Sequence, residues 1–194
     1  FVDKKFFDLN KNFLKQIGNK KYNKIFLIKI NSKEIIKELQ VFEKYTKYLI
    51  KKNYSKHDLI VAIGGGTVID LIGFLSSIFL RGIKLFLIPT NLIGMADAST
   101  AGKTGLNSGK LKNLIGSIYL PEKVYINTNF LKTCSKNDLR QGWSEIFKYG
   151  LLGSKKLINM IDYYFKNKSD KLILSIIKKT IHIRLKIMKI NPLA

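Results

Sequence analysis

The sequence predicts an α/β fold built on a parallel sheet, followed by an all-α segment. Three observations carry this. Short apolar, β-branched runs alternate with amphipathic helical stretches over the first part of the chain. A triple glycine, Gly64-Gly65-Gly66, stands where one strand run meets a helical run. Past about residue 130 the strand signals cease and helical periodicity continues alone.

The elements follow in order. Residues 24–30 (KIFLIKI) are apolar and β-branched and predict a buried strand. Over 33–52, apolar residues at Ile35, Ile36, Leu39, Phe42, Tyr45, Leu49 and Ile50 keep helical spacing. Residues 59–63 (LIVAI) predict a second strand, 67–80 a buried helix, and 84–88 (KLFLI) a third strand stopped by Pro89. Residues 91–120 show no long periodic element; rich in Gly, Ser, Thr and Asn, they predict a binding-loop region. A strand at 123–127 follows. Ser135 predicts a helix N-cap, with Asp138 suited to the positive helix end and Gly150 a C-terminal stop. Two further helices are expected at about 155–166 and 170–190, the second ending at Pro192. A domain boundary is placed between residues 133 and 134, giving domains 1–133 and 134–194.

Composition narrows the function classes. The 194 residues are 46% hydrophobic, enough for a buried core. Cys134 is the single cysteine, which excludes a disulfide framework and any CxxC motif and suits a reducing, cytoplasmic setting. The apolar stretch from Val68 to Leu80 is broken by Asp70, Gly73, Ser76 and Ser77, so no membrane association is expected. The chain opens without Met, and the first strands of the sheet are expected to lie outside it. The formal charge is +22, yet only Arg81, Arg140 and Arg184 are arginines among 35 basic residues. Arg does most bidentate phosphate and base recognition, so no nucleic-acid partner is expected. An anionic small-molecule substrate is compatible with the charge.

The glycine turn is the first candidate site. Residues without Cβ let backbone N–H groups approach a phosphate, and the helix N-terminus adds positive partial charge. A dinucleotide pyrophosphate fits that description. The usual fingerprint is incomplete: Ile69 stands at the third glycine position, and no acid follows about 20 residues on. A tight βα turn without a ligand is the alternative. Asp70, in the first turn of the helix, reads equally as a dipole-paired acid or a cofactor contact.

The second candidate is the polar loop. Thr90 and Asn91 follow a strand end, and Asp97, Lys103, Asn107, Lys112 and Asn113 lie between apolar elements, which points to an anion site. Gly102-Lys103-Thr104 looks like a P-loop tail, but Asp97 stands where that motif needs Gly. Glu145 and Lys148 share a helix face; the pair reads as a local ion pair or as a carboxylate available to a metal. His57 and His182 form no metal spacing.

Taken together, 63–82 (IGGGTVIDLIGFLSSIFLRG), 88–107 (IPTNLIGMADASTAGKTGLN), 111–121 (LKNLIGSIYLP) and 130–150 (FLKTCSKNDLRQGWSEIFKYG) resemble the dehydroquinate synthase family. The resemblance implies a Rossmann-like parallel-sheet NAD-binding domain followed by the start of an all-α metal and substrate domain. It implies conversion of a seven-carbon keto sugar acid phosphate (DAHP) to 3-dehydroquinate and phosphate, a lyase step of the shikimate pathway leading to aromatic amino acids. NAD is recycled, and a divalent metal, zinc or cobalt, polarises the hydroxyl being oxidised. It implies that Gly66, Thr67, Val68, Ile69, Asp70, Thr90, Asn91 and Phe130, Leu131, Lys132, Thr133 contact NAD. Glu34 and Lys37, in SKEIIK, join them, and Glu34 supplies the acid missing downstream of the glycine turn. Lys103 and Lys112 line the cofactor and substrate cleft. Asp97, Asn113 and Lys148 contact substrate, and Arg81 reaches substrate phosphate from the neighbouring subunit of a homodimer. Glu145 is the first metal ligand; the family's two histidine ligands fall beyond residue 194, so this chain by itself is expected neither to hold zinc tightly nor to turn over. Ile69, Asn91, Ala101, Leu111 and Ser108-Gly109 depart from the family's usual residues. Another sugar-phosphate cyclase, a metal-dependent polyol dehydrogenase and an inactive remnant remain as alternatives.

Overall fold

The computed structural model describes residues 1–13, 24–31 and 34–190, apart from the side chains of Glu34, Ile35 and Asp170. Helix α1 (Lys4–Leu9) follows strand β1 (Val2–Asp3), and Asp3 caps it by accepting from the Phe6 N–H. Strand β2 (Lys29–Ile30) and a 3-10 turn (Glu34–Lys37) lead to α2 (Leu39–Lys51). Then come β3 (Leu59–Gly64), α3 (Gly66–Ile78) and β4 (Lys84–Pro89). A π-helical turn (Gly94–Ala98) runs into the short α4 (Ser99–Ala101). Strands β5 (Lys103–Ser108), β6 (Leu111–Ile118) and β7 (Lys123–Val124) follow. A 3-10 segment (Thr128–Thr133) then leads to α5 (Lys136–Gly153), α6 (Lys155–Asn167) and α7 (Asp170–Ile190).

The main sheet is parallel, in the order β2-β1-β3-β4-β7. This is the α/β architecture expected from the alternating pattern. One core packs α2 and α3 on the sheet through Ile60, Ala62, Leu71, Leu75, Leu85 and Leu87. The other packs Val2, Phe6 and Ile63 against the π-turn and the three C-terminal helices, through Met95, Ile146, Leu157 and Ile176. Alternate residues of β3 thus face opposite layers, as the pleat requires.

Four expectations need correction. Residues 24–30 are not a buried strand: only Lys29 and Ile30 pair, and Ile25 and Leu27 are about half exposed, because this is a sheet edge among the described residues. The helix expected over 33–52 begins only at Leu39, after the 3-10 turn. The region 91–120 is not mainly loop. It holds the antiparallel β5–β6 hairpin, in which Gly105 pairs with Gly116. A Cβ on Gly116 would lie 2.5 Å from the Thr104 carbonyl oxygen, so the tight pairing itself demands glycine and erases the strand signal. Finally, Gly150 does not stop its helix. It lies inside α5, where a Cβ would sit 2.4 Å from Ile158 Cδ1; it is there to let α6 pack close. Ser135 and Asp138 form the expected capping box. The expected stop at Pro192 lies outside the described residues.

Candidate functional site

A cleft of about 1090 Å³ opens beyond the C-terminal ends of β3 and β4. Open parallel sheets place ligands there, where the backbone turns outward into loops. Its floor is the glycine turn. Gly65 is the N-cap of α3 and offers no side-chain cap. A Cβ on Gly65 would lie 2.7 Å from Asn91 Nδ2, so only glycine admits Asn91 at this distance. A Cβ on Gly66 would meet Ala98 Cβ alone, at 3.9 Å; the space before it belongs to the cleft.

Asn91 shapes the next wall. Its Oδ1 accepts from the Gly94 N–H at 2.9 Å and starts the π-turn. The turn brings Asp97 to the cleft. Arg184 Nε stands 2.5 Å from Asp97 Oδ1, and the Tyr149 hydroxyl donates to the same oxygen at 2.8 Å. Arg184 also donates to the Tyr149 hydroxyl at 3.1 Å and to Thr100 Oγ1 at 3.2 Å. Burial, then the Asp97 carboxylate, push the Tyr149 hydroxyl up to about 12. Its proton therefore stays in place to hold Asp97.

The hairpin supplies Lys103, Lys112 and Asn113. Lys37 is almost fully buried and donates to Asp70 Oδ2 at 2.9 Å and to Asn113 Oδ1. It thus ties the glycine-turn helix to the hairpin, and Asn113 adopts a left-handed φ of 55° there. Glu145 and Lys148 of α5 both line the cleft and pair with each other. The lining carries six Lys and Arg side chains against five Asp and Glu, so the overall charge of +22 is not gathered here.

Most sequence candidates meet in this space: Lys37, Gly66, Thr67, Asp70, Thr90, Asn91, Asp97, Lys103, Lys112, Asn113, Thr133, Glu145 and Lys148. The side chains of Val68, Ile69, Phe130 and Leu131 are in the core. Lys132 is exposed in a separate groove. Arg81 ends the 3-10 turn that follows α3, roughly 20 Å along the helix from Gly66. The Glu34 side chain lies outside those described. Sequence reasoning missed Tyr149 and Arg184. Arg184 had a signal: it continues the buried stripe Ile173, Ile176, Ile177, Thr180 at helical spacing. Cations on such stripes are paired.

The description of 3-dehydroquinate synthase N-terminal regions matches residues 27–141. The chain belongs to the 3-dehydroquinate synthase family. A 3-dehydroquinate synthase of Saccharolobus solfataricus is 41% identical over 150 residues, covering 77% of this chain and 42% of the relative. One from Clostridium tetani is 37% identical over 176 residues, 89% of this chain and 47% of the relative. The chain thus spans about half the length of the curated relatives it matches. Among solved structures, a 2-epi-5-epi-valiolone synthase from Streptomyces hygroscopicus with NAD+ and Zn2+ bound superposes with a TM-score of 0.90 at 24% identity, over 98% of this chain and 54% of that one. A 2-deoxy-scyllo-inosose synthase complexed with carbaglucose-6-phosphate, NAD+ and Co2+ gives 0.84 at 22%, over 96% and 52%. A glycerol dehydrogenase from Schizosaccharomyces pombe gives 0.63 at 13%, over 92% and 51%. These three share the fold.

The lining suits a dinucleotide better than it suits a metal. The cleft at Gly66 is open and polar, and the uncapped helix end favours an anion. For a metal, Glu145 lines the cleft beside Lys148. Among the described residues no three His, Cys, Asp or Glu side chains cluster as a metal site. A metal centre needs three protein ligands, so these residues do not complete one.

Proposed function

We propose that this chain forms the NAD and substrate cleft of a 3-dehydroquinate synthase, an enzyme that cyclises DAHP with loss of phosphate. The observation that carries the reading is the convergence of the glycine turn, the hairpin lysines and Asp97 on one cleft beyond β3 and β4. Bound NAD supplies a hydride acceptor that later returns the hydride. Gly65, Gly66 and Thr67 hold its pyrophosphate at the helix end, and Thr90 and Asn91 continue the site. Lys103 and Lys112 draw the phosphate and carboxylate of the substrate into the cleft. Asp97, oriented by Arg184 and Tyr149, accepts from a substrate hydroxyl. Lys148 faces the substrate side of α5 and balances Glu145. Zinc or cobalt would be held through Glu145, which needs further ligands, and no step of this reading passes through it.

The division at 133/134 into an NAD-binding part and a helical part is proposed on the same basis. So is a homodimer: β6 is a two-stranded-hairpin edge with Leu111, Leu114 and Ile118 all about 60% exposed. In that dimer Arg81, remote from its own cleft, serves the neighbouring one. A cytoplasmic setting is proposed from the single free cysteine; no described helix is long and apolar enough to cross a membrane.

Phosphate release from DAHP tests the reading, using the gene product as the cell makes it, with NAD and zinc. Phosphate without lasting NADH is expected. Lasting NADH formed from a simple polyol would favour a dehydrogenase instead.

A further inference from the structure

Away from the cleft, a second groove of about 480 Å³ lies between the first half of α5 and the α6–α7 junction. Three aromatic rings form one wall. Trp143 sits 4.9 Å, centroid to centroid, from both Tyr164 and Phe165, and Phe165 is about half exposed. The rest of the lining combines cations with the apolar Leu131, Leu139 and Ile173. Lys136, Arg140 and Trp143 recur at helical spacing on α5 and so share a face. Lys168 takes a left-handed φ of 50° at the end of α6, and its ammonium lies 4.4 Å from the Phe165 ring centroid and 5.3 Å from that of Tyr164.

The charge here is one-sided. No Asp or Glu belongs to the described lining, in contrast to the mixed lining of the cleft. Neither Lys136, Arg140 nor Lys168 makes an ion pair among the described residues. Two cations four residues apart on one helix face repel, and a non-glycine residue with left-handed backbone is strained. An anion between these groups would relieve the repulsion, and a planar ring would stack on the exposed aromatic edge. The volume suits a small molecule.

We propose that this groove binds a small planar aromatic anion, with its ring against Trp143 and Phe165 and its charge between Lys136, Arg140 and Lys168. The site is independent of the NAD cleft and of the reading given to it.

Trp143 is the chain's only tryptophan, so its fluorescence reports on this groove alone. Titrations use AMP (an aromatic phosphate) and 4-hydroxybenzoate (an aromatic carboxylate), each without NAD, which itself carries an aromatic phosphate and would compete for the groove. Ribose 5-phosphate and benzyl alcohol lack the ring and the charge respectively. Saturable quenching with a dissociation constant below about 1 mM is expected for one or both aromatic anions. Which of the two binds more tightly tells phosphate from carboxylate. Each of Lys136→Gln, Arg140→Gln and Lys168→Gln should weaken binding about two- to fivefold, the contribution of an exposed ion contact. Equal binding of ribose 5-phosphate would mean a charge effect without a ring site and would overturn the proposal. Absence of saturation by both aromatic anions, or affinity unchanged in the triple variant, would also overturn it.

Discussion

Replacing Arg184 with Met keeps most of the aliphatic stem and removes the guanidinium. In the native protein that group is 5% exposed and contacts Asp97, Tyr149 and Thr100. Removing one partner of a buried pair costs about 3–5 kcal/mol because the other charge stays behind without its counter-ion. The Asp97 side chain keeps 24% exposure and its Tyr149 hydrogen bond, so water and the phenol compensate in part. The expected loss is therefore at the lower end, about 3 kcal/mol, or roughly 150-fold in the unfolding equilibrium constant. Urea unfolding followed by far-UV circular dichroism measures it, provided the slope with urea is unchanged. Asp97→Asn alone should also destabilise, by stranding the guanidinium. Combined, the two changes should cost less than their sum by about 2 kcal/mol, the coupling of a charge pair in contact. Additivity within about 0.5 kcal/mol would show that Arg184 does not hold Asp97 and would refute the reasoning.

Three further predictions concern the same walls. Tyr149 is held neutral up to about 12, against 10 when unfolded, so its contribution is complete below pH 10 and is lost as pH rises from 10 to 12. The unfolding free energy from urea titration should fall over that window by up to about 3 kcal/mol, and Tyr149→Phe should flatten this part of the profile. Burial, aided by Asp138 and opposed by Lys5, pushes the Cys134 thiol up to about 11. Iodoacetamide at neutral pH should therefore label it roughly a hundredfold more slowly than in the urea-unfolded chain; equal rates would contradict the burial. Gly142→Ala would place a Cβ 2.4 Å from Leu92 Cβ and 2.9 Å from the Ile93 nitrogen. Calorimetry should show a loss of about 1–3 kcal/mol, and no loss would mean that α5 does not press on the π-turn.

The strands and helices with clean periodicity were legible in the residues. LIVAI before the glycines and KLFLI before Pro89 became the paired centre of the sheet. The β5–β6 hairpin was not legible, because Gly105 and Gly116 sit where side chains would have shown alternation. Ile25 and Leu27 misled for the opposite reason: they have strand chemistry at a position where the sheet ends. In the site, polar residues on loops stood out against apolar surroundings and do converge on one cleft. Tyr149 was hidden because a tyrosine in a helix reads as packing until a carboxylate 52 residues away is brought against it. Gly150 shows the general limit, since a helix stop and a helix crossing call for the same residue and differ only in what packs there.

The central claim is that the glycine turn holds NAD, and the most direct measurement is calorimetric titration of NAD into the protein and into Gly66→Val. The valine side chain should enter the cleft with little disturbance of the fold, since Ala98 Cβ is the sole neighbour within 4 Å of a Cβ there. The account predicts NAD binding tighter than about 100 µM in the unaltered chain and at least tenfold weaker binding in the variant. No binding by the unaltered chain, or equal affinity in a folded variant, would contradict it.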